Sequence, residues 1–167
     1  MSASTQPLYT PAPVTLYLVR HASALDRSRW DLDDLERPLD ERGATQAESV
    51  TAHFADKTVR GVWSSQATRC VQTVTGMATS RGLSVEIRPE LTEGARPNDL
   101  LELIRAEAFA EDDLVMCSHG DLIPEVLNRL LREGMSVLGP RGCEKGSVWE
   151  LETRGPDITQ GRYTAAP

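Results

Sequence analysis

The 167-residue chain lacks the features that mark several large protein classes. No stretch approaches the roughly 18 continuous apolar residues that a membrane span needs, so no membrane association is predicted. The three cysteines have neither an even count nor zinc-ligand spacing, which argues against a disulfide framework and a metal cluster. Positive charge is also scarce. The formal net charge is −7, so binding to a nucleic acid polymer over a broad surface is not expected.

The amino-terminal segment also lacks a basic region followed by an apolar block. Its Ser, Thr, Gln and Pro residues predict a flexible leader at residues 1–13, and not a secretion signal. We therefore expect a cytoplasmic protein in which residues 14–167 form a single domain with its own core. The sequence leaves the oligomeric state open.

Short apolar runs alternate along the chain with segments of helical periodicity. The runs predict strands at residues 14–21, 61–65, 83–91 and 114–119. Helices are predicted after the N-caps Asp40 and Ser65, and at residues 99–108 and 121–133. A loop at 134–146 leads to strands at 147–153 and 158–163, which predict an antiparallel hairpin at a sheet edge. This order predicts an α/β three-layer sandwich with a mainly parallel central sheet.

Two of the three histidines close apolar strands. His21 follows Arg20 at the end of the first strand, and His119 ends the strand that begins at Leu114. Because α/β proteins bind ligands at the carboxyl ends of their strands, we expect both side chains to face one site. A neutral imidazole is a nucleophile, and an arginine offers charged, forked donors that suit a phosphoryl group. The third histidine, His53, is predicted to be exposed.

An ordered set of short motifs extends this prediction. Leu-Val-Arg-His-Ala stands at 18–22, Ser-Ser at 64–65 with Arg69 shortly after, Leu-Thr-Glu at 91–93 and Ser-His-Gly at 118–120. Together they resemble the histidine phosphatase (phosphoglycerate mutase-like) superfamily over residues 14–152. Arg-Pro-Leu at 37–39 and Lys-Gly-Ser at 145–147 further resemble its small phosphohistidine-phosphatase-like members. The resemblance implies a phosphoglycerate mutase-like fold and a phosphatase that uses no metal and no other cofactor.

The resemblance also implies a role for each motif residue. His21 would attack phosphorus and carry a covalent phosphohistidine, while Arg20, Arg69 and His119 would bind the phosphoryl group. His119 would also take part in catalysis, and Glu93 occupies the position of the acid that protonates the leaving group. These roles agree with the chemistry of phosphoryl transfer, which depends mainly on positioning and on stabilising the charge of the equatorial oxygens.

Ser23 and Arg37 are predicted as further substrate contacts, with a surface role as the alternative for each. The chain has no long insertion of the kind that covers the site in sugar-phosphate mutases, so an open site is expected. A phosphorylated small molecule, a nucleotide or a phosphoprotein would all fit an open site. The bond cleaved would be a phosphomonoester, a phosphoanhydride or a phosphohistidine. The alternatives are a catalytically silent phosphate-recognition module and a phosphoglycerate mutase-type phosphotransferase.

Overall fold

A computed structural model of the chain describes residues 12–167, so nearly all of the predicted leader lies outside the described residues. Within this range, no helix is long and apolar enough to cross a membrane. The described strands are listed in chain order: β1 Thr15–Arg20, β2 Gly61–Ser64, β3 Val85–Ile87, β4 Leu114–Ser118, β5 Ser136–Leu138, β6 Val148–Arg154 and β7 Asp157–Thr164. The described helices are α1 Glu41–His53, α2 Thr68–Thr79, α3 Pro97–Glu107 and α4 Ile123–Arg132.

The strands form one seven-stranded sheet in the order β3-β2-β4-β1-β6-β7-β5. Strands β1, β2, β3 and β4 pair in parallel, and β6 pairs antiparallel with both β1 and β7. Side chains of one face pack with α1 and α2, and those of the other face pack with α3 and α4. The α/β three-layer sandwich with a mainly parallel sheet is therefore confirmed.

The register between β1 and β4 positions the two strand-end histidines. Arg20 pairs with Ser118, so the next residues along the two strands, His21 and His119, emerge side by side at the carboxyl edge of the sheet. Both strands are almost completely buried, because helices cover both of their faces. The site predicted at this edge therefore rests on the two central, best-buried strands of the parallel part of the sheet.

Several predicted boundaries of helices and strands are wrong. Helix α2 begins at Thr68 with Ala67 as its N-cap, so Ser65 does not cap it. The third strand ends at Ile87 and does not reach residue 91, since residues 89–91 form a 3₁₀ turn. Helix α3 begins at Pro97, because proline fits the first turn of a helix.

The carboxyl-terminal part of the sheet also differs from its prediction. The hairpin of β6 and β7 is confirmed, but it does not form the edge of the sheet. Strand β5, which lies within the predicted loop at 134–146, pairs with β7 and covers it. His53 is not fully exposed either, because its ring packs edge-on against Phe54 at 5.1 Å between centroids.

Candidate active site

The cleft at the carboxyl edge of β1 and β4 has a volume of about 470 Å³. It brings together the predicted residues Arg20, His21, Arg37, Glu93 and His119 as lining residues. Its remaining walls come from three segments, and these residues are Ala24, Leu25, Asp26, Arg27, Gly120, Asp121 and Lys145. The cleft is thus built from four loops: those that follow β1, β3 and β4, and the one that precedes β6.

His21 lies at the end of β1 with its ring fixed by a local hydrogen bond. Its Nδ1 lies 2.8 Å from the carbonyl oxygen of Ala22, a distance at which Nδ1 donates its proton and Nε2 keeps the lone pair. Burial, together with the positive charges of His119, Arg69 and Arg20, outweighs this hydrogen bond and lowers the pKa of His21 to about 3. The imidazole is therefore neutral, and nucleophilic at Nε2, across the physiological pH range.

The turn after His21 is held by α2. The amide of Ala22 donates to Thr73 Oγ1 at 2.9 Å, and the hydroxyl of Thr73 donates to the carbonyl of Arg69 at 2.6 Å. Ala22 is fully buried and adopts an ordinary negative φ. The methyl group is therefore accommodated without backbone strain.

His119 lies next to His21, with 5.3 Å between the ring centroids. Its Nε2 lies 2.8 Å from Ser65 Oγ and 3.5 Å from Cys70 Sγ, whereas its buried Nδ1 has no hydrogen-bond partner among the described residues. The sequence predicts Ser65 as a helix cap, and the apolar residues around Cys70 predict a core position for it. Both residues do lie in the buried region below the cleft, but they also contact the second histidine.

Arg20 is bent back over the β4 end. Its Nη1 donates to the carbonyl of Cys143, and its guanidinium lies against Gly120. A Cβ atom at residue 120 would lie 2.6 Å from Arg20 Cζ, so only glycine leaves room for the guanidinium in this position. The buried Nε of Arg20 has no hydrogen-bond partner in the described part of the chain.

The apolar residues at 67, 70, 71, 74 and 78 predict Arg69 on the exposed side of α2, but the structure buries it. Its side chain is 1% exposed, and its Nη2 contacts Glu93 Oε2 at 3.0 Å and Asp34 Oδ2 at 3.2 Å. Its Nη1 donates to the carbonyl of Asp34 at 2.9 Å, and its buried Nε lacks a hydrogen-bond partner within residues 12–167. Carboxylates from two distant loops thus make the burial of this charge possible.

Glu93 follows the 3₁₀ turn Pro89–Leu91 and bridges two arginines. Besides its contact with Arg69, it accepts a hydrogen bond from Arg27 Nη2 at 3.3 Å. The amide of the next residue, Gly94, donates to Asp121 Oδ2 at 2.8 Å, which ties the loop of Glu93 to the start of the segment after His119. Glu93 is partly exposed, so its carboxylate lies between the arginines and the open cleft.

The two predicted substrate contacts occupy different positions. Arg37 is buried, donates to Asp34 Oδ1 at 2.9 Å and to the carbonyl of Leu25 at 2.7 Å, and lines the cleft. Ser23 does not line the cleft, since its hydroxyl donates to Asp40 Oδ2 at 2.7 Å beside a neighbouring depression of about 290 Å³. Among the described residues, no group of three or more His, Cys, Asp or Glu side chains is arranged to hold a metal ion.

The structural comparisons establish the fold. The protein histidine phosphatase SixA in complex with tungstate matches 90% of this chain and 94% of its own, with a TM-score of 0.67 and 20% identity. A protein from Agrobacterium tumefaciens proposed to be the phosphohistidine phosphatase SixA matches 92% of this chain and 98% of its own. Its TM-score is 0.71 at 23% identity.

The sequence comparisons establish the family. The 8-oxo-(d)GTP phosphatase of Mycolicibacterium smegmatis is 30% identical over 160 residues, which are 92% of this chain. The chain spans about half the length of that relative, 48%. The sequence model of the histidine phosphatase superfamily (branch 1) matches residues 16–99, from the first strand to the start of α3. Since this match includes both β1 with its Arg-His pair and the helix of Arg69, the chain belongs to the histidine phosphatase superfamily.

Proposed function

We propose that this protein is a metal-independent phosphatase that forms a covalent phosphohistidine on His21. Three buried hydrogen-bond donors without partners carry this proposal. Arg20 Nε, Arg69 Nε and His119 Nδ1 are buried polar atoms without hydrogen-bond partners among the described residues, and they belong to the three residues whose charges lower the pKa of His21. Buried polar groups in proteins are nearly always paired, so three unpaired donors on the cationic neighbours of one imidazole support an anionic ligand. A phosphoryl group has three equatorial oxygens that accept from such donors.

The proposed reaction begins with in-line attack of His21 Nε2 on phosphorus. The bond between phosphorus and the leaving oxygen or nitrogen breaks with its electron pair, and the arginines and His119 stabilise the charge on the equatorial oxygens. Water then attacks the phosphohistidine, which releases inorganic phosphate and restores the neutral imidazole. Each step places positive charge where negative charge develops, and protein side chains supply that charge.

Glu93 is proposed as the group that protonates the leaving atom. It lies at the mouth of the cleft, and its contacts with Arg27 and Arg69 keep its carboxylate next to the phosphoryl donors. An incoming phosphoryl group competes for the same Arg69 Nη2, because a dianion is the stronger partner for a guanidinium. Glu93 is then free to accept a proton and deliver it to a departing alkoxide.

The substrate is proposed to be a phosphorylated small molecule, a nucleotide or a phosphoprotein. The curated relative is named for a nucleotide substrate, and the SixA proteins are named for phosphohistidine. The open cleft accommodates a large group attached to the phosphoryl moiety. A panel of nucleoside phosphates, sugar phosphates and histidine-phosphorylated proteins at equal concentrations distinguishes these classes by kcat/KM.

The decisive experiment uses an aryl phosphate in the presence of a chelator. We expect hydrolysis by the wild-type protein, loss of hydrolysis in His21→Ala, and full activity in His53→Ala, the matched control at the third histidine. Acid-free quenching during turnover is expected to trap a base-stable, acid-labile phosphate on His21. A wild-type protein that binds phosphate but hydrolyses nothing would support the recognition module instead. Transfer to a second hydroxyl without release of phosphate would support the phosphotransferase.

A further inference from the structure

The Asp34 carboxylate contacts three arginine side chains. Its oxygens lie 3.2 Å from Arg27 Nε, 2.9 Å from Arg37 Nε and 3.2 Å from Arg69 Nη2. Its backbone carbonyl accepts a further hydrogen bond from Arg69 Nη1 at 2.9 Å. One residue of the loop after β1 therefore fixes both Nη atoms of the arginine that lies deepest below the cleft.

The turn that carries Asp34 does not depend on the Asp34 side chain. Residues 34–36 form a 3₁₀ turn whose N-cap is Asp33, and Asp33 Oδ1 accepts from the amide of Leu35 at 3.0 Å. The indole of Trp30 donates to the carbonyl of Asp33 at 2.9 Å and closes the loop on its other side. The carboxylate of Asp34 is thus available for the arginines, while its neighbour Asp33 maintains the backbone.

Asp34 carries a full negative charge in this setting. Partial burial opposes that charge, but the hydrogen bond from Arg37 and the charges of Arg69, Arg37 and Arg27 together hold the pKa of Asp34 below its ordinary value. The carboxylate therefore neutralises part of the positive charge on Arg69. It also competes for Nη2 of Arg69 with any anion that enters the cleft, as Glu93 does.

We propose that Asp34 is a positioning residue that orients Arg69 and, as an internal counter-anion, limits the affinity of the cleft for inorganic phosphate. The proposal rests on the proposed phosphatase function. A pocket lined by Arg20, Arg27, Arg37 and Lys145 would hold the product dianion tightly, and release would then limit turnover. A carboxylate that stays in contact with Arg69 Nη2 reduces this affinity and keeps the guanidinium in the geometry that the reaction needs.

The test is the pair Asp34→Asn and Asp33→Asn, measured by calorimetric titration with inorganic phosphate and by steady-state kinetics. Asparagine at 34 keeps the size and the backbone carbonyl but removes the charge. We expect the Kd for phosphate and the KM to fall about tenfold, because one neighbouring negative charge is lost. We expect kcat to fall about tenfold as well, because Arg69 is less well oriented and the product leaves more slowly.

The control Asp33→Asn removes a charge one residue away that touches no arginine, and it is expected to leave both constants within about twofold. Asp34→Glu restores the carboxylate and is expected to bring the phosphate Kd back to within about threefold of the wild-type value. If Asp34→Asn does not fold, Asp34→Glu decides the test. A phosphate Kd of Asp34→Glu more than about threefold from the wild-type value then overturns the proposal.

Weaker phosphate binding in a folded Asp34→Asn protein would also overturn it, since a merely structural role predicts a higher Kd and a lower kcat together. Failure of the proposed function looks different. In that case the wild-type protein does not hydrolyse an aryl phosphate, whatever Asp34→Asn does to the Kd for phosphate, and a wild-type protein that does not bind phosphate at all overturns both proposals.

Discussion

Ser65 Oγ and His119 Nε2 lie 2.8 Å apart in a fully buried contact at the base of the cleft. The same hydroxyl oxygen accepts from the amide of Ala67 at 3.3 Å. Ser65 therefore fixes the orientation of the His119 ring and leaves Nδ1 to face an incoming anion. A residue that the sequence assigned to a helix cap has its main contact 54 positions further along the chain.

Ser65→Ala is expected to lower kcat by about 10- to 100-fold, because the buried Nε2 of His119 loses a hydrogen bond worth on the order of 1–3 kcal/mol. Steady-state kinetics with an aryl phosphate measures the effect. Ser64→Ala is the matched control, since Ser64 is equally buried but donates to the Ser65 carbonyl and not to His119. Equal losses in the two variants would contradict the role of Ser65, whereas Ser65→Thr should restore most of the activity.

Gly120→Ala is expected to raise KM about tenfold or more by displacing the Arg20 guanidinium, whose atoms lie 2.6–2.7 Å from the position of the new Cβ. The backbone tolerates alanine there, because Gly120 is not one of the glycines with positive φ. Thermal unfolding should therefore change little. In an Arg20→Ala background the same substitution should have no further effect on KM. An additive loss in the double variant would show that Gly120 acts by another route.

Thr73→Val is expected to destabilise the protein by about 1–3 kcal/mol, because the buried amide of Ala22 loses its acceptor. It should also lower kcat, since the turn that carries His21 is no longer anchored to α2. Thr75→Val is the control on the same helix. Its hydroxyl makes the equivalent bond to the carbonyl of Val71 but lies on the exposed face. Urea unfolding compares the free energies of unfolding of the two variants. A smaller loss in Thr73→Val than in Thr75→Val would refute the role of Thr73 in holding the turn after His21.

The stability of the protein should depend on pH through His21. The folded protein resists protonation of His21 down to about pH 3, whereas the unfolded chain protonates it near its ordinary value of 6.5. Between these values the unfolded state binds more protons, so stability falls as the pH falls. From pH 6.5 to pH 4.5 this single group accounts for about 2–3 kcal/mol. Urea unfolding of His21→Asn should be less sensitive to pH over that window by this amount, and an unchanged slope would refute the assignment.

Glu93→Gln is expected to slow substrates with poor leaving groups far more than those with good ones. A poor leaving group needs a proton in the transition state, and glutamine cannot supply one. A series of aryl and alkyl phosphates gives the dependence of kcat/KM on the leaving-group pKa, with a steeper slope in the variant. Arg27→Gln, which removes only one partner of the carboxylate, should keep the wild-type slope. Uniform losses across the series would indicate a structural role for Glu93.

The fold and the strand-end residues could be predicted because they follow from local pattern. Buried strands appear as short apolar runs, and the residue after each run lies at the sheet edge whatever the rest of the chain does. Arg20, His21 and His119 were found in this way. Strand β5 was missed because three residues between glycines carry no periodicity, and only pairing with β7 makes them a strand.

The position of Arg69 could not be predicted from helical periodicity. An amphipathic pattern assigns arginine to the solvent side, because burial of an isolated charge is too costly. Here the cost is offset by Asp34 and Glu93, which lie 35 and 24 residues away in two separate loops. Their acidic side chains resemble ordinary surface charges in the sequence. Only the tertiary structure reveals that they form the partners of a buried arginine.

The pairing of β1 with β4 has a consequence for when the two histidines meet during synthesis. The two histidines are almost a hundred positions apart, yet they become neighbours only when Arg20 aligns with Ser118. A shift of this alignment by one residue turns one imidazole toward the opposite side of the sheet. A nascent chain that has not yet emerged past its fourth strand therefore lacks the neighbour of His21, and the pair of imidazoles forms only once that strand has inserted beside the first.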